Sequence, residues 1–169
     1  KMIDASALTG VFTIDTAAGT PTMNIANVGL TIKGGSANDS ITLGQKATVD
    51  AGAGDDTIVT SAFGGTLTGG AGKDTLNISA SVLAGAQITE DNGVVKVTIT
   101  DLTAGDKIIF ADKGTEVFNK TQLDVSTATK LDDALDIAFA GNGSTNGIIS
   151  WFQYAGNTYI VEDVSAAAV

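Results

Sequence analysis

Single large aliphatic residues, each flanked by small or polar ones, recur through the middle of the chain at a nearly constant interval. Ile41, Ile58 and Leu76 lie seventeen and eighteen residues apart, and Val49 and Leu67 fall about halfway between them. An x-U-x triplet, U being a large aliphatic residue, suits a very short strand whose middle side chain points inward. The pattern predicts one strand per half-period of about nine residues and direct stacking of residues about eighteen apart. Two half-periods then make one coil of a flattened solenoid, with coils at the strand spacing of roughly 4.8 Å.

Glycines and an aspartate precede three of these strands. The phrases read Gly34-Gly35-Ser36-Ala37-Asn38-Asp39-Ser40-Ile41-Thr42, Ala51-Gly52-Ala53-Gly54-Asp55-Asp56-Thr57-Ile58-Val59 and Gly69-Gly70-Ala71-Gly72-Lys73-Asp74-Thr75-Leu76-Asn77. The third fits the nonapeptide G-G-x-G-x-D-x-U-x throughout, while Ala37 and Ala51 each replace one glycine in the other two. Glycine permits positive φ, so the turns can curl their carbonyls toward one point. The candidate site residues are Asp39, Asp56 and Asp74, with Asn38, Asp55, Gly35, Gly52, Gly54, Gly70 and Gly72 around them.

Stacked coils set the three aspartates in a column. Two carboxylates about 4.8 Å apart at an effective dielectric near 20 repel by roughly 3 kcal/mol. A hard dication that takes six to eight oxygens, from carboxylates and carbonyls, resolves the conflict. The chain has no His and no Cys, so the chemistry suits Ca2+ and not zinc or copper. Three turns imply about two inter-turn sites. One lies between the Asp39 and Asp56 turns and one between the Asp56 and Asp74 turns, with Asp56 serving both. The alternate turns, Gly44-Gln45-Lys46 and Phe63-Gly64-Gly65, carry no aspartate and are expected to hold no metal.

The expected fold class is mainly β: a parallel β-roll or β-solenoid with calcium-binding turns on one edge, followed by a C-terminal β-rich cap containing one short helix. Residues 1–33 read as N-terminal solenoid coils without metal turns. Gly10–Asp15, Met23–Val28 and Leu30–Ile32 are strand-like, and Ala17–Pro21 is a turn. Residues 34–79 are the calcium-binding β-roll, and 80–169 the capping, secretion-associated region. There Gln87–Thr89 and Val94–Ile99 flank the hairpin signal Glu90-Asp91-Asn92-Gly93. Asp101 and Asp106 read as polar turn residues, with a further calcium site as the alternative.

A helix is predicted over 128–140, with Leu131, Leu135, Ala138 and Phe139 as its apolar stripe, Thr129 and Asp132 as a capping box, and Gly141-Asn142-Gly143 as its end. Asp132-Asp133 reads as exposed helix face and not as a catalytic pair. A hairpin over 148–163 turns at Ala155-Gly156-Asn157. It carries Trp151, Tyr154 and Tyr159, read as core before any carbohydrate-stacking surface.

Composition narrows the partners. Nine Lys/Arg against nineteen Asp/Glu give a net charge of −10 over 169 residues, which argues against nucleic acid and anionic membrane surfaces. Without cysteine there is no disulfide framework, so stability rests on coil stacking and metal. No apolar run reaches transmembrane length, and no signal peptide opens the chain. It starts at Lys1 in mid-pattern and reads as a piece of a larger protein. It is expected not to be an enzyme. Lacking His, it has no Ser-His or Cys-His arrangement and no HExxH motif, and its glycines lead into strands where a phosphate loop needs a helix.

The three glycine-rich phrases resemble the RTX repeats, the calcium-binding nonapeptides of the parallel β-roll in proteins exported by type I secretion. The strict resemblance covers about a quarter of the chain. Ile3-Asp4-Ala5-Ser6-Ala7-Leu8-Thr9-Gly10, ahead of the repeats, is similar to segments of RTX-type surface-layer proteins of Gram-negative bacteria. Thr103-Ala104-Gly105-Asp106-Lys107-Ile108 resembles a phrase frequent beyond the last RTX coil, and the run from Trp151 to Asp163 resembles the type I secretion region of such surface proteins.

The resemblance implies the C-terminal part of a secreted, self-assembling surface (S-layer) protein at the bacterial cell surface, which Ca2+ folds and assembles after export. Its implied partners are calcium ions, copies of itself in a lattice and the type I exporter. A cell-surface polysaccharide would be met through the N-terminal part of the full protein. The alternatives are a non-catalytic RTX tail of a secreted protease or lipase, or part of an RTX adhesin. The Asp4–Gly10 phrase directly before the repeats favours the first reading.

Overall fold

Each x-U-x triplet forms a strand of three or four residues. Its Thr- and β-branched-rich backbone favours the extended form, and the glycine turns on either side keep it short. The computed structural model describes residues 2–10, 13–15, 30–81, 97–111, 117–140 and 148–162. Among them are thirteen strands and one helix, so the chain is mainly β. It divides into two compact units, Lys1–Leu83 with Val95–Phe110, and Ala84–Val94 with Ala111–Val169.

In the first unit successive strands alternate between two parallel five-stranded sheets. The first sheet holds, in spatial order, β1 (Met2–Asp4), β3 (Leu30–Lys33), β5 (Ala47–Asp50), β7 (Gly65–Thr68) and β9 (Val97–Ile99). The second holds β2 (Thr13–Asp15), β4 (Ser40–Thr42), β6 (Thr57–Val59), β8 (Thr75–Asn77) and β10 (Lys107–Ile109), also in chain order. Register follows the repeat. Ile41, Ile58, Leu76 and Ile108 stack in one row, and Ile3, Ile32, Val49, Leu67 and Ile99 in the other.

Side-chain alternation explains the shared core. In β5, Ala47 and Val49 point inward while Thr48 and Asp50 face out. Ile32, Ile41, Val49, Ile58 and Leu67 are fully buried in one cluster drawn from both sheets. Each such side chain stabilises the fold by roughly 1.5–3 kcal/mol. The two strands beyond the last legible repeat, β9 and β10, still pair in parallel with β7 and β8. The other arm and the turn of the expected hairpin at 87–99, like the predicted segments 17–21, 23–28 and 141–143, lie outside the described residues.

The second unit contains β11 (Val117–Phe118), α1 (Leu131–Ala140), β12 (Ile148–Tyr154) and β13 (Asn157–Glu162). β12 and β13 form the predicted antiparallel hairpin around a two-residue turn, with Ala155 at φ 49 and Gly156 at φ 81. β11 adds to β12 in parallel, a pairing too short to leave a periodic signal. Phe152, not the tryptophan, is the fully buried ring, because β12 alternates and turns Ser150 and Phe152 inward. Trp151, Tyr154 and Tyr159 are half-buried, and Tyr159 stacks on Phe152 with centroids 5.2 Å apart.

The helix begins later than expected. Asp133, and not Asp132, closes its start: the Thr129 hydroxyl donates to it at 2.6 Å, and the Thr129 and Lys130 amides at 2.9 and 3.2 Å. A carboxylate at the third helical position reaching back to the capping amide places the first helical residue at Leu131.

Candidate metal centre in the aspartate turns

The connections from the first sheet into β4, β6, β8 and β10 each pass through a turn carrying an aspartate just before the strand, namely Asp39, Asp56, Asp74 and Asp106. Parallel register brings these turns over one another, and their aspartates interlock. The Asp39 amide donates to Asp56 Oδ1 at 2.7 Å, seventeen residues on. The Asp56 amide donates to Asp74 Oδ1 at 2.9 Å, eighteen residues on. The Asp74 amide donates to Asp106 Oδ1 at 2.9 Å, thirty-two residues on. The three predicted aspartates therefore share one column, and Asp106 is its fourth member. Asn38 and Asp55 form a second ladder running the other way: Asn38 Oδ1 accepts from the Asp55 amide and Asp55 Oδ1 from the Lys73 amide, both at 2.9 Å.

The second carboxylate oxygens differ along the column. Asp39 Oδ2 accepts from the Gly35 amide at 2.8 Å. Asp56 Oδ2 and Asp74 Oδ2 are buried with no hydrogen-bond partner, on residues only 1% exposed. A buried acceptor left unpaired costs about 1–3 kcal/mol, more if it is charged. Burial, reinforced by the charges of Asp74, Asp39 and Asp55, pushes the Asp56 carboxyl up to about 6 against the donated Asp39 amide. Asp74 is raised in the same way by burial, with Asp106, Asp101 and Asp55 adding to it and the Asp56 amide opposing.

The glycines provide close approach. Gly52, Gly54, Gly70 and Gly72 all have positive φ, at 104°, 119°, 99° and 143°. At Gly70 a Cβ would strike the carbonyl of Gly52 in the turn below. Gly35 is not left-handed; its need for glycine is spatial, since a Cβ there would strike the Leu8 carbonyl. A Cβ at Gly34 would fall against both the Ala51 carbonyl oxygen of the next turn and Asp39 Oδ2. Backbone and carboxylate oxygens thus face the same small space between turns.

These residues fit a hard dication: the donors are all oxygen, two buried carboxylate oxygens lack partners, and glycines keep side chains out of the space. Among the described residues no three acidic side chains converge on a single point. A cation between turns therefore draws on carbonyl oxygens as well as carboxylates.

The sequence reads Asp101 and Asp106 first as polar turn residues and second as a further calcium site. Asp101 Oδ1 and Oδ2 accept from the Gly69 and Gly70 amides at 3.0 and 2.7 Å. Asp106 Oδ2 accepts from the Thr103 amide at 2.7 Å and the Thr103 hydroxyl at 3.1 Å, and the Asp74 amide first, then the Thr103 donors, hold its carboxyl below the usual carboxylate range. The available signal was spacing, since Asp106 follows Asp101 by the interval that separates Asp74 from Gly69. No protein-family model matches the chain, and no curated protein matches it in sequence.

Proposed function

We propose that the chain is a calcium-folded β-roll, the C-terminal part of a secreted, self-assembling bacterial surface protein of the RTX kind, and not an enzyme. The observation that carries the reading is the pair of buried, unpartnered oxygens, Asp56 Oδ2 and Asp74 Oδ2, in a column of stacked aspartates. Calcium bound between turns supplies positive charge and open coordination positions for those oxygens. The chain's own residues do the rest. Asp39, Asp56 and Asp74 present carboxylates, and Gly52, Gly54, Gly70 and Gly72 hold the left-handed turns that let carbonyls approach.

Without the cation the column disfavours folding, which keeps the chain threadable through a type I exporter at low calcium. Outside the cell, millimolar calcium suits sites of about 10⁻⁴–10⁻³ M, and binding free energy becomes folding free energy. Copies of the same chain in a surface lattice are the proposed partners after folding.

The test is a calcium titration followed by circular dichroism, with EDTA and magnesium controls. A cooperative gain of β signal near millimolar calcium, reversed by EDTA and not matched by magnesium, supports the reading. A chain fully folded in EDTA sinks the aspartate column as a folding switch.

A further inference from the structure

Residues Asp101–Ile109 form a fourth turn-and-strand unit in phase with the three repeats. Lys107, Ile108 and Ile109 stack on Thr75, Leu76 and Asn77, as those stack on Thr57, Ile58 and Val59. Asp106 reaches back to the Asp74 amide just as Asp74 reaches back to the Asp56 amide. Gly105 takes positive φ, at 114°.

The unit departs from the repeat at all three glycine positions, where Asp101, Leu102 and Ala104 stand, and its Gly105 aligns with Lys73; the first of these changes puts a carboxylate where the repeat has its leading glycine. Following the register of β7 and β9, Asp101 stands over Gly69, whose amide it accepts. Asp74 Oδ2, buried and unpartnered, lies against the same Gly69, where a Cβ would strike it. In the first turn the corresponding space, beside Gly34, is faced by Asp39 Oδ2 and the Ala51 carbonyl. At the fourth level that space is faced by the unpaired oxygen of Asp74 and has a second carboxylate, Asp101, at its border.

We propose a third divalent-cation site at this level, between the Asp74 turn and the Asp101–Asp106 turn, held by Asp74 Oδ2, the Asp101 carboxylate and backbone carbonyl oxygens. It rests on the calcium-binding reading above. Asp101 brings to this site a carboxylate that neither inter-repeat level has at that position, and affinity rises with ligand charge. The site therefore fills first, about tenfold tighter than the others. It lies outside the nonapeptides and closes the last turn.

The experiment is calcium binding to the whole chain by equilibrium dialysis, with backbone amide NMR following the same titration. In the wild-type chain the first equivalent of calcium is expected to shift the Gly69, Gly70 and Asp106 amides before those of Gly35 and Gly52. Asp101→Asn, which keeps one acceptor oxygen but removes the charge, is expected to lose the tightest ion and retain the rest.

The proposal is overturned if the first equivalent shifts Gly35 and Gly52 while the Gly69–Asp106 level stays still, or if Asp101→Asn binds as many ions with the same first step. Should Asp101→Asn fail to fold even in calcium, the filling order in the wild-type chain decides alone. A wild-type chain that binds no calcium removes the wider reading and this site together. Two ions at the inter-repeat levels with none here remove only this site.

Discussion

The two kinds of turn in the first unit solve the same problem with different chemistry. The turn at Thr60–Gly64, which returns from the second sheet to the first, buries hydroxyls. Thr60 and Ser61 are buried, Thr60 Oγ1 and Ser81 Oγ lie 2.7 Å apart, and Ser81 Oγ donates to the Ser61 carbonyl at 2.8 Å. The turns that lead from the first sheet to the second bury carboxylates and leave two of their oxygens without partners. A neutral hydroxyl both donates and accepts, so a stack of them satisfies itself. An ionised carboxylate only accepts, so a stack of them cannot satisfy itself and draws on backbone amides for its donors. The first kind of turn is complete within the protein; the second leaves Asp56 Oδ2 and Asp74 Oδ2 unpaired, the gap that the proposed cation would fill.

The largest expected effect separates the turns by their glycines. Gly70→Ala forces a side chain into a left-handed turn and against the Gly52 carbonyl, and is expected to lose about 4 kcal/mol in saturating calcium. Gly64→Ala, in a hydroxyl turn at φ 65, is expected to lose about 1 kcal/mol. Denaturant unfolding measures both, and equal losses would erase the distinction.

The next effect reverses sign with calcium. Asp56→Asn removes a buried charge whose folded-state carboxyl sits near 6 against an ordinary value of 3.8. In EDTA at pH 7 it is expected to stabilise the chain by up to about 3 kcal/mol. In calcium it is expected to lower stability and ion stoichiometry. Destabilisation in EDTA would show that the column is content without a cation.

The pH dependence of the metal-free chain follows from the same carboxyl. Because the folded chain holds that proton more tightly than the unfolded one, the contribution is fully present below about pH 4. It is lost as the pH rises through about 6, a fall of at most about 3 kcal/mol by pH 7. In excess calcium the order reverses for binding, since protons compete with the cation and acidification from pH 7 to 5 raises the calcium midpoint. Thermal melts across pH with and without EDTA test both limbs.

The smallest effect belongs to the hydroxyl turns. Ser81→Ala breaks the link between Thr60 and the Ser61 carbonyl and is expected to lose about 1 kcal/mol equally with and without calcium. A calcium-dependent loss would mean that the two kinds of turn are coupled.

Much of this was legible along the chain. The spacing of Ile41, Ile58 and Leu76 placed the short strands and the stacking of Asp39, Asp56 and Asp74, because turn, strand and side-chain alternation are local properties of a repeating phrase. The helix and the 148–163 hairpin were legible for the same reason. Other features were not. The helix start moved by capping geometry, since the S/T-x-x-acid spacing from Thr129 points to Asp132 whereas the backbone path brings Asp133 back onto Thr129 and Lys130. Of the aromatics read as core, Tyr154 and Tyr159 pack against the buried cluster, but its fully buried ring is Phe152, because alternation fixes which residues share a face but not which face turns inward.

By itself, then, the order of residues determined the period, the strand positions, the glycine turns and a chain without His or Cys as donors. Only the tertiary structure decided that Asp106 extends the aspartate column, that Asp101 caps the Gly69 and Gly70 amides, and which carboxylate oxygens are left without a partner. The reason is physical. A lengthened connection breaks the period along the chain, whereas hydrogen-bonded register is set across strands and restores the alignment that the spacing had lost.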